Sequence, residues 1–207
     1  MANFNTYLPL LANVEGGYTN NPKDNGNWTG GKIGVGNLVG TNKGISAPVY
    51  AQWIGRTPTV ADMKAITGST ANLIFKKWYW DKVGADRIAD QSVAEIIVDH
   101  AVNAGTYAAG KLVQKVLNEK FGKNISIDGG IGAQTITAIN SVNPFTLHEA
   151  IKAARLQYYI SINQSTFIDG WKYRLEKFVY DKPQNAGMGL VAILAMVSYA
   201  YYKFKSN

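Results

Sequence analysis

The chain has 207 residues, 46% of them hydrophobic, enough to bury a core in one domain with an appended module or in two small domains. It contains no cysteine, which excludes disulfides, thiol nucleophiles and cysteine-ligated metals, and its two histidines, His100 and His148, lack carboxylates at the spacing of a zinc hydrolase. Lys and Arg outnumber Asp and Glu by 21 to 14, and the resulting formal charge of +7 suits an anionic partner (nucleic acid, acidic lipid or an acidic wall polymer) while also serving plain solubility.

In chain order, Phe4 to Val14 places Phe4, Tyr7, Leu8 and Leu11 on one helical stripe, with Val14 at its end. Glu15 follows at the C-terminal end of that helix, and Gly16-Gly17 let the backbone turn sharply beside its carboxyl group. Between Gly16 and Gly44 the sequence is rich in Gly and Asn without a sustained period. The short alternation Lys32-Ile33-Gly34-Val35 predicts a small hairpin in this lobe. Gly34, Gly36 and Gly40 do not have the spacing or the strand-loop-helix context of a nucleotide-binding loop.

Residues 46–82 read as helical pieces. Ser46 caps one, with Pro48 in its first turn; Thr59 precedes a second, and Thr70 a third. The aromatic residues Phe75, Trp78, Tyr79 and Trp80 suit either helix-packing core or a sugar-stacking wall. Gln91 to Asn103 presents Val93, Ala94, Ile97, Val98, Ala101 and Val102 as an apolar face, the signature of a central buried helix. Glu95, Asp99, Asn103 and Tyr107 follow one another at i+4 steps. They fit a cleft floor that contacts substrate, a solvated face or a structural hydrogen-bond network.

The helical pattern continues past Gly105 to Leu117 and breaks at Phe121-Gly122-Lys123-Asn124. Ile127 to Thr135 reads as a turn opening a helix through Ile139, and helices follow over roughly 146–163 and 166–179. The N-terminus has no basic region leading into an apolar run, so no cleavable signal peptide is expected. Met188 to Tyr202 carries no charge and ends in Lys203-Phe204-Lys205; after a linker over 181–187, the run 188–203 suits either a buried terminal helix or a membrane contact.

EGGYTNNPKD at 15–24, TNKGIS at 41–46, VDHAVNAG at 98–105, DGGIGAQT at 128–135, and the patterns Arg155-x-x-Tyr158-Tyr159 and Gly170-Trp171-x-x-Arg174 together resemble glycoside hydrolase family 108 over about residues 4–178. That family comprises phage and bacterial N-acetylmuramidases with a C-terminal helical module of the predicted peptidoglycan-binding type. The resemblance implies a mainly α, lysozyme-like helical fold with a small loop or hairpin lobe, to which the sequence adds the C-terminal apolar helix. It divides the chain into a catalytic region at 1–108 and a peptidoglycan-binding-type region at 109–180 packed on it. It implies cleavage of the β-1,4 bond between N-acetylmuramic acid and N-acetylglucosamine, with peptidoglycan glycan strands as partner, no nucleic acid and no cofactor. A monomer, or a component of a phage or secretion assembly acting on the cell wall, is expected.

By the same resemblance the catalytic glutamate falls on Glu15 and the second carboxylate on Asp24. Thr41 takes the third position on its following residues, after an apparent insertion of about a dozen residues, whereas Thr29 has the family's ordinary distance from Asp24. Tyr18, Thr29, Asp99, Asn103 and Tyr107 are the expected substrate contacts. An apolar setting suits Glu15 as general acid, and a polar loop suits Asp24 as the ionised partner.

Overall fold

The computed structural model describes residues 1–14, 17–162 and 165–181. Glu15 and the apolar segment 188–203 lie outside them. Among the described residues the fold is helical: α1 (Phe4–Val14), α2 (Ala47–Ile54), α3 (Val60–Lys64), α4 (Gly68–Phe75), α5 (Gln91–Ala104), α6 (Thr106–Phe121), α7 (Ala133–Asn140), α8 (Pro144–Ser161) and α9 (Ser165–Glu176). In place of strands, the lobe between α1 and α2 holds three isolated antiparallel bridges.

α5 is the central helix. Val93, Ala94, Ile96, Ile97, Val98 and Ala101 are buried on it, each large side chain contributing about 1.5–3 kcal/mol. The helix packs against both α6 and α8. Its start is fixed by Asp90, whose carboxylate accepts the Val93 N–H at 2.9 Å, satisfying one of the four donors that a helix N-terminus leaves open. α1 docks through Phe4, Tyr7 and Leu11. Tyr7 stacks on Trp80 with ring centres 5.8 Å apart, and Phe4 meets the same indole edge-on at 5.5 Å.

Trp80 closes a π-helical turn, Lys76–Trp80, that continues α4, and its Nε1–H donates to Asp86. Phe75 and Trp80 are therefore core residues, while Trp78 is half-buried and packs edge-on against Trp53. α4 begins a turn earlier than Thr70: Thr67 is its cap and accepts the Thr70 N–H at 3.1 Å.

The helix expected to run past Gly105 is two helices. Gly105 adopts φ 89° and ψ 152°, which ends α5 and starts α6 in a new direction. The i+4 stripe from Glu95 to Tyr107 is broken there. Further along, Gly110 lets the backbone of Gly129 approach α6, with no room for a side chain between them. Gln114 then locks the 128–130 turn, accepting the Gly129 N–H at 2.8 Å and donating to Asp128 at 2.8 Å and the Gly130 carbonyl at 2.9 Å. α8 starts at an Asn143 cap with Pro144 in its first position, two residues before the expected boundary.

A single apolar core runs from Phe4 through α5 to Leu175 and Phe178. At its centre Asp99 is fully buried and meets Arg155 of α8 at 2.6 Å and Arg174 of α9 at 2.7 Å. Among the described residues, no helix is long and apolar enough to cross a membrane.

Candidate active site

The loop lobe is built by backbone pairing. Thr19 and Thr41 exchange both N–H···O bonds at 2.9 Å, so the segment around Thr19 lies antiparallel to the segment holding Thr41. Gly40, at φ 91°, lies against the Tyr18 ring and the Thr19 carbonyl, leaving no space for a side chain. Tyr18 is half-buried there; its hydroxyl donates to the Val39 carbonyl at 3.1 Å, and Lys64 sits over its ring at 5.1 Å.

Asp24 initiates a 3-10 turn over Asn25–Asn27, and its Oδ1 accepts the Gly26 N–H at 2.9 Å. The Asp-Asn-Gly order favours this geometry, because the aspartate side chain bonds its own backbone two residues on. Asn27, fully buried, holds the lobe together: its carbonyl accepts from Val39 and Gly40, and its side-chain amide donates to the Asn21 carbonyl.

Gly26 is the pivot. A Cβ there would lie 3.4 Å from Asp24 Oδ1 and 3.5 Å from Thr41 Oγ1, so the two polar atoms flank one bare backbone position. Thr41 Oγ1 is buried and has no hydrogen-bond partner among the described residues. Thr29 differs. Its Oγ1 accepts the Asn37 N–H at 2.9 Å and closes the 28–38 loop, joined at its base by the Trp28–Leu38 bridge.

The remaining expected contacts are dispersed. Asp99 has no exposed surface, and both of its oxygens are occupied by guanidinium groups, which corrects its assignment to the substrate surface. Asn103 is exposed at the end of α5, with its amide 3.3 Å from the Tyr159 hydroxyl. Tyr107, exposed on α6, covers Gly129 and carries Lys111 over its ring at 4.8 Å.

The motif residues Arg155, Tyr159, Trp171 and Arg174 form one interlocked set. Arg155 donates to Asp99, to the Ile96 carbonyl and to the Tyr159 hydroxyl, and Tyr159 stacks on Trp171 at 5.2 Å. A cavity of about 450 Å³ lies elsewhere, lined by Thr6, Asp90, Glu95 and Asp181 among others. There burial, with the neighbouring Asp90 and Asp181 charges, pushes the Glu95 carboxyl above its ordinary value despite the hydrogen bond from Gln91. Sequence reasoning missed Gly26 and Asn27, although the Asp-Asn-Gly-Asn run is a turn signal with a mechanism.

The family described as Glycosyl hydrolase 108 matches residues 8–105, and the one described as Predicted Peptidoglycan domain matches 108–176. The solved structure of Brucella abortus SagA is 31% identical, with a TM-score of 0.71 over 84% of this chain and 90% of that one. The chain belongs to the glycosyl hydrolase 108 family. Comparison with curated proteins finds no match. As a member of the glycosyl hydrolase 108 family carrying a peptidoglycan domain, the protein is a glycoside hydrolase that acts on peptidoglycan, and its place of action is the cell wall. The lobe carrying Asp24 and Thr41 falls in the glycosyl hydrolase region, and the arginines that enclose Asp99 come from the peptidoglycan region.

Proposed function

We propose that the protein is an N-acetylmuramidase that cleaves the β-1,4 bond between N-acetylmuramic acid and N-acetylglucosamine, with Glu15 as general acid. The observation that carries this reading is the pair formed by Asp24 and the unpartnered Thr41 hydroxyl around Gly26. A buried hydroxyl with no partner is unfavourable unless something else binds it. In this reading the Thr41 hydroxyl, enclosed here, binds the attacking water once substrate is seated, with Asp24 as its neighbour. Asp24 Oδ1 is oriented by the Gly26 amide, and Oδ2 makes no hydrogen bond among the described residues, leaving it for that water or for the developing positive charge.

Glu15 enters this scheme by its place in the chain, between the end of α1 and the Thr19–Thr41 pairing. Its task is to protonate the leaving oxygen, which requires a carboxyl group kept protonated near neutral pH. Thr29 supports the loop. Region 109–180 is assigned wall binding in the same proposal, with Asn103 and Tyr107 as exposed contacts at its border.

The test is to digest purified peptidoglycan with the wild type and with Glu15→Gln and to identify the new ends by mass spectrometry. Muramic acid reducing ends made by the wild type alone are expected. Equal solubilisation by both forms removes Glu15 from the mechanism, glucosamine reducing ends overturn the bond assignment, and 1,6-anhydro ends overturn attack by water.

A further inference from the structure

The loop that separates Asp24 from Thr41 is fastened at several points. Thr29 and Asn37 are joined by two hydrogen bonds at 2.9 Å, one to a backbone carbonyl and one to the threonine side chain; Gly30 donates to the Val35 carbonyl at 3.1 Å, and Val35 donates to the Lys32 carbonyl at 3.0 Å. Gly31, Gly34 and Gly36 all take positive φ, and Gly30 lies tight against Val35, so the path needs glycine. The tip is also tied to the candidate catalytic turn. Ile33 N–H donates to Asn25 Oδ1 at 3.0 Å, and Asn25 is the residue after Asp24.

This ordered tip presents apolar surface to water. Ile33 is 51% exposed and Val35 47% exposed, and Lys32 beside them is exposed with no ion-pair partner among the described residues. Two branched aliphatic side chains beside one free ammonium form a surface that complements a ligand with methyl groups and carboxylates. The sugar backbone of peptidoglycan has no charge. Its anionic and alkyl groups are on the lactyl-peptide substituent of alternate sugars, and the tip is hydrogen-bonded to the residue after Asp24, where a strand would be seated.

We propose that the Lys32–Val35 tip recognises the peptide substituent of the glycan strand. Lys32 meets a carboxylate of the peptide, and Ile33 and Val35 cover its alkyl side chains. This inference rests on the site assigned above to Asp24 and Thr41.

The experiment compares the wild type, Ile33→Ser/Val35→Ser and Lys32→Gln on soluble uncrosslinked glycan strands that carry peptides and on the same strands stripped by an amidase. On peptide-bearing strands the double variant should lose roughly tenfold in kcat/KM, and Lys32→Gln a few-fold in a salt-sensitive manner. On stripped strands the double variant should equal the wild type; Lys32→Gln is compared on peptide-bearing strands alone, because the amidase leaves a free lactyl carboxylate on each muramic acid. Equal losses on both substrates, or no loss on either, overturn the proposal. So does loss of binding to phosphatidylglycerol vesicles with both hydrolysis rates unchanged, which would make the tip a lipid contact. Failure of the underlying site reading shows separately, as wild-type turnover of stripped strands by Thr41→Val and by Asp24→Asn.

Discussion

Asp99 of α5 and Arg155 of α8, both fully buried, meet at 2.6 Å, and Arg174 of α9 closes on the other carboxylate oxygen. Asp99 and Arg155 have no exposed side-chain surface, so each depends on the other, and Asp99 also on Arg174, for the interactions that water would otherwise supply. Asp99→Asn leaves Arg155 enclosed without its counter-ion and should cost about 3–5 kcal/mol, measured by guanidinium denaturation. A change below about 1 kcal/mol would show that the arginines find other partners.

The two threonines should respond in opposite ways. Thr41→Val removes a buried hydroxyl that has no partner among the described residues, so stability should hold or rise by about 1 kcal/mol while turnover of peptidoglycan drops roughly a hundredfold. Thr29→Val breaks the bond from Asn37 and should lower stability by about 1 kcal/mol with a smaller effect on turnover. Paired melting and turnover measurements decide; the reverse pattern would place the insertion on the wrong side of the third catalytic position.

Gly26→Ala probes the gap directly. The new methyl meets Ser46 Cβ at 3.2 Å as well as the two polar atoms, and the backbone at Gly26 needs no left-handed φ. The substitution should lower kcat at least roughly tenfold by displacing Asp24 or Thr41, and the melting temperature should move by only a few degrees. Full activity in the alanine variant would show that nothing needs to bind there.

His100 makes stability sensitive to acid. It is buried edge-on against Tyr158 and Tyr159, and neither ring nitrogen has a partner among the described residues. Burial, reinforced by the Arg155 charge, lowers its pKa from 6.5 to about 3. The unfolded chain therefore takes up the proton first. Stability is intact above 6.5 and falls by about 1.4 kcal/mol per pH unit below it, toward the folded value. His100→Phe should remove that component of the slope between pH 6 and pH 4, roughly the window over which denaturation curves can be compared; parallel slopes for both proteins would count against it.

The helices were legible in the sequence where apolar residues kept a period: the buried stripe of α5 and the Phe4, Tyr7, Leu11 face of α1 are both in the structure. Boundaries slipped where a local choice was close. Thr67 and Thr70 are both good caps, and only the fold selects Thr67. Gly105 was compatible with a continuing helix, and its extended left-handed backbone is a tertiary outcome. Asp99 shows the same limit in the candidate site. Its i+4 spacing to Asn103 is real, but the two arginines that claim it come from positions 56 and 75 residues away, beyond any local pattern. The proximity of Asp24 to Thr41 was legible only through resemblance, because the residues between them carry no period that reports how the loop closes.

The paired amides of Thr19 and Thr41, with the Trp28–Leu38 bridge inside them, act as nested clasps around the tip. Whatever length of chain lies beyond the inner clasp, Asp24 and Thr41 keep their spacing, and doubling such a loop costs only about 0.6 kcal/mol in closure entropy. Within this architecture the tip and the turn that holds Asp24 are linked at one point, the Ile33–Asn25 hydrogen bond. A new tip grafted between residues 29 and 37 leaves both clasps in place but must keep a donor to Asn25 to preserve the turn that holds Asp24.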